Sequence, residues 1–234
     1  RSNVPSPPVC QVARLGTVEY QQAWDLQVRL AQEIRQGERP NTLLLLEHPP
    51  VYTLGRLSQP GHLLLSLEEL QEKGVSVYET DRGGQVTYHG PGQLVAYPVV
   101  DLRQGGGPLK YVRTLERIIV DTLADFQIEA GMVEGLTGVW ASGAKAAAIG
   151  VRISRGVAYH GFAINVNTDL SYYDHIVPCG IEDRPVTSMA ELRGGSVDLE
   201  EVQYSLVYHF GRGMGFKMVE VELTASAGGP HSPP

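Results

Sequence analysis

Apolar side chains recur at Ala23, Leu26, Leu30 and Ile34, the spacing that gathers them on one face of a helix. An amphipathic helix is therefore predicted over about Glu19 to Gln36, ended by Gly37. Thr42 to Glu47 follows as a buried strand, a short helix over Leu67 to Lys73 stops at Gly74, and Val75 to Glu79 and Gln93 to Val100 are strands. Tyr111, Leu115, Ile118, Ile119, Thr122, Leu123 and Phe126 mark a second long helix. The pattern then changes. Val139-Trp140, Ala146 to Ile153 and Val157 to Val166 are β-type runs separated by turn signals at Ser142-Gly143 and Arg155-Gly156, which predicts an antiparallel meander. Ser188 and Glu191 form a capping-box pattern, and Leu199 to Phe210 is a third long helix before a terminal strand. The class is α+β with a mixed or mainly antiparallel sheet. One body runs over 9–223 between a Pro-rich N-terminal arm at 1–8 and a low-complexity tail at 224–234.

With 234 residues, 42% of them hydrophobic, the chain is long enough to bury a real core. No run of about 18 apolar residues is present, and the first residues lack the apolar segment of a secretory signal, so a soluble, cytoplasmic protein away from membranes is expected. Of the two cysteines, Cys10 is assigned to a flexible arm and Cys179 to the body, and a reducing compartment leaves a free thiolate available. A formal charge of −7 argues against nucleic acid as a partner. From Asp81 to Arg155, however, eight basic side chains face seven acidic ones, net +1, which makes this stretch the place to look for an acidic partner. Arg82, Arg103, Arg113, Arg152 and Arg155 are its candidate docking residues.

Three segments carry residue types with chemistry. Asp81 to Gln93 reads D-R-G-G-Q-V-T-Y-H-G-P-G-Q, where glycines free the backbone to approach a ligand and Arg82 can pair with a carboxylate, phosphate or carrier. The alternative is a pair of glycine-rich turns around a short strand. The segment matches neither a phosphate loop nor a dinucleotide fingerprint, so ATP and NAD lose their usual marks. Lys145, one of four lysines, stands among small apolar residues at the start of a buried-looking strand. It is either a desolvated proton carrier or a turn lysine facing water. Cys179, between Pro178 and Gly180, is either a nucleophile presented at a turn or an inert core residue. His89 and His160 are candidates for orienting substrate or for structural hydrogen bonds, and no histidine or cysteine spacing suits a metal.

An ordered series of motifs resembles the lipoyl(octanoyl) transferase family, also called lipoate-protein ligase B. It comprises R-G-G-Q-V-T-Y-H-G-P-G-Q from Arg82, P-V-V-D-L-R from Pro98, T-G-V-W from Thr137, K-A-A-A-I-G from Lys145, H-G-F-A-I-N-V from His160 and I-V-P-C-G-I from Ile176, and covers about Val9 to Phe216. The resemblance implies the fold of the biotin and lipoate protein ligases, a single domain with a larger mixed sheet and a smaller sheet flanked by helices. It implies that Cys179 forms an acyl thioester and that Lys145 lowers its pKa. It further implies substrate contacts from Arg82, Gly83, Gly84, Gln85, Val86, Thr87, Tyr88 and His89, from Ala148, Ile149 and Gly150, and from His160, Gly161, Phe162 and Ala163.

By the same resemblance, octanoyl-acyl carrier protein donates the acyl group. Lipoyl domains of 2-oxoacid dehydrogenases and the glycine cleavage H protein accept it on a lysine. No cofactor or metal is required, because thioester exchange is nearly isoenergetic and amide formation runs downhill. Backbone N–H groups near Gly161 or Gly180 are candidate oxyanion donors. The oligomeric state defaults to monomer. The rival readings are an ATP-dependent lipoate or biotin ligase on the same fold, a hydrolase using Cys179 with His89 or His160, and a fatty-acid-binding module without chemistry.

Overall fold

The computed structural model describes residues 6–177 and 185–225. Cys179 and Gly180 therefore lie outside the described residues. The chain begins with strand β1 (Val9–Thr17) and helix α1 (Tyr20–Gln36), then β2 (Asn41–Glu47), β3 (Val51–Leu54), α2 (Leu67–Glu72), β4 (Ser76–Glu79), β5 (Val86–His89) and β6 (Gln93–Asp101). Helix α3 (Pro108–Asp125) leads to β7 (Val139–Ala141), β8 (Ala144–Ser154) and β9 (Val157–Asn165), and α4 (Met189–Arg193), α5 (Leu199–Met214) and β10 (Lys217–Glu220) complete it. Among the described residues, seven strands form one sheet in the order β10-β1-β2-β6-β9-β8-β7, and β4-β3-β5 form a second. The large sheet is mixed: β1 runs parallel to β10 and β2, and the pairings from β2 to β7 are antiparallel.

The uninterrupted leucines of β2 make sense in the middle of this sheet, where a strand is covered on both faces. Leu44 and Leu46 pack with Ala23, Leu26, Leu30 and Ile34 of α1. Leu43 and Leu45 pack on the opposite side with Leu115, Ile119 and Leu123 of α3 and Leu206 and Phe210 of α5. A third, smaller cluster joins Tyr52 of β3 and Tyr88 of β5 to Leu70 of α2. Gly37 caps α1 in the left-handed region at φ 77°, donating its N–H to Ile34 O, as a helix-ending glycine should.

The predicted elements and the observed ones agree closely from α1 onward, the β7-β8-β9 meander included, except that β3, the central strand of the small sheet, is not among those predicted. Two differences have physical causes. Strand β1, whose Cys10, Val12 and Ala13 are all fully buried, carries no clean alternation, so the hydrophobic pattern does not predict it. Cys10 is accordingly no part of a flexible arm: it lies in β1, and burial pushes its thiol up to about 12. At α4, Ser188 Oγ accepts the Glu191 N–H, but the Glu191 carboxylate accepts from Thr187 Oγ1. Among the described residues no helix is long and apolar enough to cross a membrane.

Candidate active site

The placement of Lys145 depends on one extra residue. Ala147 packs in the core beneath α3, and Ile149, Val151 and Ile153 pack against it. Strict alternation along β8 would send Lys145 into that apolar core as well. The pairing register instead steps from Val139↔Ala147 to Trp140↔Lys145, so Ala146 is the extra residue of a β-bulge. Both Ala146 and Ala147 join the core, and Lys145 turns to the opposite face, where its Nζ lies 5.4 Å from the Trp140 ring centroid. Gly138 makes room for it: at φ 129° it has no Cβ, and one built there would stand 2.8 Å from Lys145 Cε. The Gly138 N–H donates to the buried Glu116 carboxylate, which is itself paired with Arg113 at 2.6 Å.

The backbone of Lys145 also holds the next part of the chain. Its N–H donates to Pro185 O and its carbonyl accepts from Thr187 N, both at 2.9 Å. On the other side of the undescribed segment, Val177 N donates to His62 O at 2.9 Å.

Lys145 lines one end of a cavity of about 330 Å³, within the range of small-molecule sites. Trp140, Leu136 and Val186 surround it there, and Ala147, Ala148, Ile149, Gly150, Phe162 and Ala163 continue the wall along β8 and β9. Arg82, Gly84, Gln85, Val86, Thr87 and His89 form the wall contributed by the glycine-rich segment. That wall rests directly on backbone. Gly83 N donates to Val151 O at 2.9 Å, and a Cβ on Gly150 would stand 2.9 Å from Gly83 O. From the small sheet, a Cβ on Gly55 would stand 2.3 Å from Gly84 O. Glycines on both sides thus let the segment lie flat between the sheets.

Arg82 keeps this loop in shape. It is 7% exposed, and its guanidinium donates to Thr53 O, Gly83 O and Gln85 O at 2.6–2.8 Å and to Thr53 Oγ1 at 2.9 Å. A planar fork with five donors suits that set of acceptors. Arg82 is therefore not a surface docking residue. The other four candidate arginines do not form one patch either. Arg103 lies against Gly156 at the β8–β9 turn beside Arg155, roughly 30 Å along β8 from Lys145 at ~3.3 Å per residue.

Below the loop sits a group of neutral histidines and tyrosines. His48 donates from Nδ1 to Val18 O at 2.6 Å and accepts at Nε2 from Tyr97 OH at 2.7 Å, and burial pulls its pKa down to about 4. His89 donates from Nδ1 to Gln93 Oε1 at 2.7 Å and is pulled down to about 3, first by burial and then by the neighbouring charges of His48 and Arg82. Gln93 in turn donates to Asn165 Oδ1 and Tyr173 OH, so this network reaches the turn at Leu170–His175 that precedes Ile176.

His160 is the most unusual residue of the group. Its φ of 56° is left-handed, although it lies inside β9. In a regular strand Tyr159 and His160 would face opposite sides. The left-handed turn brings both side chains to the Asp81 carboxylate, Tyr159 through its hydroxyl and His160 through Nε2 at 2.7 Å. The His160 N–H donates to Gln27 Oε1 of α1 at 2.7 Å, which offsets part of the backbone strain. Burial holds the His160 pKa below its usual value against the pull of Asp81. Burial works to raise the Asp81 carboxyl, but hydrogen bonds from His160 and Tyr159 hold it below the ordinary carboxylate range.

Of the residues singled out from sequence, the structure brings Lys145, Arg82, Gly84 to Thr87, His89, Ala148 to Gly150 and His160 to Ala163 to one cavity. Two are not brought there. Tyr88 points to the small third cluster, stacked on Tyr172 at 4.6 Å, because β5 alternates and Thr87 and His89 take the cavity side. Gly83 braces the loop against Val151. Sequence reading missed Tyr20, Tyr97 and Trp140 as lining residues, and Gly138, Glu116 and His48 as their supports. Only Trp140 and Gly138 had a signal, lying in the T-G-V-W motif next to Lys145.

Residues 19–211 match the family described as the lipoyl protein ligase A/B catalytic domain. The chain is 49% identical over 219 residues to the octanoyltransferase of Solibacter usitatus, covering 93% of this chain and 99% of that one. Its fold resembles a bipartite lipoate protein ligase from Thermoplasma acidophilum, with a TM-score of 0.73 at 18% identity over 94% of this chain and 88% of the other. It also resembles, more distantly, the biotin protein ligase of Aquifex aeolicus, with a TM-score of 0.55 at 17% identity over 88% and 70% of the two chains. The fold is thus that of the biotin and lipoate protein ligases, and the chain belongs to the family of lipoyl protein ligase A/B catalytic domains.

Proposed function

We propose that this protein is an octanoyltransferase of protein lipoylation, moving an octanoyl group from an acyl carrier protein thioester to the lysine of a lipoyl domain through Cys179. The observation that carries this reading is the setting of Lys145. A bulge aims it into an apolar-walled cavity, and its own backbone is hydrogen-bonded to Pro185 and Thr187, just beyond the segment that holds Cys179. Cys10 offers no rival thiol, being fully buried with its pKa pushed up. The likeness to a relative named octanoyltransferase at 49% identity supports the choice of acyl group.

In this mechanism the Cys179 thiolate attacks the carrier thioester, and the carrier's sulfur leaves as a thiol. The lysine amine of the lipoyl domain then attacks the octanoyl-cysteine, losing a proton as the amide forms and the cysteine is released. Lys145 is the group that takes the thiol proton and passes it on. Arg82, Gly84 to Thr87, Ala148 to Gly150 and Gly161 to Ala163 form the walls that hold the acyl chain, and acyl carrier protein and lipoyl domain dock in turn at the Lys145 end.

The test is transfer from octanoyl-carrier protein to a purified lipoyl domain in the absence of ATP, read as a mass gain on the acceptor. Transfer without nucleotide is the expected result. Acyl transfer that requires ATP and free octanoate would overturn it in favour of a ligase.

A further inference from the structure

We infer that Tyr97, locked by His48 and backed by Tyr20, is the end-stop that sets the length of acyl chain the cavity takes; this rests on the proposed acyl transfer. Tyr97 and Tyr20 both line the cavity and are 4% and 2% exposed. The strand register places Tyr97 at the end opposite Lys145, and Tyr20, at the start of α1, packs 5.2 Å from the His48 ring that holds Tyr97. Gly150 lies five residues along β8 from Lys145, roughly 16 Å at ~3.3 Å per residue. Gly150 pairs with Gly161, and Gly161 presses on Ala96 and Pro98, the neighbours of Tyr97 on β6. Tyr97 is therefore two strands across as well, roughly 10 Å at ~4.8 Å per strand, which puts the two Cα atoms about 19 Å apart. An extended octanoyl chain, about 9 Å for seven C–C bonds of ~1.5 Å, fits within that separation.

A stop discriminates only if it cannot swing away, and Tyr97 is held at its far end. Its hydroxyl donates to His48 Nε2, a nitrogen that must accept because Nδ1 donates to Val18 O. Tyr20 stacks on His89 with an interplanar angle of 11° and fills the space beside it. A longer chain must either displace this wall or leave methylenes outside, where each forfeits about fourfold in affinity.

The experiment measures kcat/KM for hexanoyl-, octanoyl-, decanoyl- and dodecanoyl-carrier protein with the full chain, for wild type and Tyr97→Ala. Wild type should prefer octanoyl over dodecanoyl by at least tenfold. Tyr97→Ala should raise the decanoyl/octanoyl and dodecanoyl/octanoyl ratios at least tenfold. Tyr97→Leu and Tyr20→Leu are measured alongside, because they keep an apolar side chain in the core and should shift the same ratios in the same direction. Variants that turn over octanoyl-carrier protein with wild-type length ratios would overturn the end-stop. A wild type that transfers no acyl chain would instead overturn the proposed function, so the two failures are distinguishable.

Discussion

At the scale of single residues, the decisive arrangement is a cation placed by a bulge. Lys145 is half-buried, faces Trp140, and touches the chain that resumes after Cys179 through its own backbone. If Lys145 carries protons, arginine cannot replace it, since guanidinium stays protonated. Lys145→Arg and Lys145→Ala should both lose on the order of 10²-fold in turnover. The rate of Cys179 alkylation against pH should show a thiol pKa below its free value of about 8.5 in wild type and a higher one in Lys145→Ala. Native protein should consume one equivalent of alkylating reagent, because Cys10 is fully buried. An alkylation profile unchanged in Lys145→Ala would show the two side chains to be uncoupled.

At the scale of elements, the cavity exists because glycine-rich backbone can lie flat on other backbone. Gly55 to Ala should push the loop off β3, since the new Cβ would stand 2.3 Å from Gly84 O and 2.7 Å from the Arg82 guanidinium. The expected cost is about 1–3 kcal/mol in denaturant unfolding, with a raised KM for the acyl donor. A variant with wild-type KM would remove the loop from the binding surface. The helices and the meander were legible from sequence because local periodicity and turn residues write them directly. Ser142-Gly143, for example, takes the paired positive φ values, 51° and 79°, that a two-residue hairpin needs. What sequence hid was tertiary. Nothing in A-K-A-A-A-I-G announces which alanine bulges, and alternation read without the bulge sends Lys145 into the core. His160 is among the residues the sequence points to, but the left-handed backbone that reverses the face alternation assigns it is not legible there. Tyr97 looked like one more apolar position of a buried strand.

At the scale of the molecule, the cavity floor makes the fold acid-sensitive. His48 and His89 are held neutral with pKa values of about 4 and about 3, and burial also lowers that of His160. Unfolded histidines titrate near 6.5, so below that pH the unfolded chain binds protons that the folded one refuses, and stability falls as pH falls toward 4. Asp81, held below its ordinary range, adds a loss in the same direction at lower pH. Thermal midpoints should hold steady above about pH 7 and drop by roughly 10 °C or more by pH 4.5, with a shallower slope in His48→Gln. A flat profile from pH 7 to 4.5 would contradict the buried neutral histidines. These histidines, the bulged β8 and the flat glycine loop all frame one cavity, and the proposed function turns on the chemistry of Cys179. The direct measurement is intact mass spectrometry of wild type and Cys179→Ala after incubation with octanoyl-carrier protein and no acceptor. The account predicts one octanoyl adduct on wild type, discharged when a lipoyl domain is added, and none on Cys179→Ala; a Cys179→Ala protein that still octanoylates the lipoyl domain at the wild-type rate would contradict it.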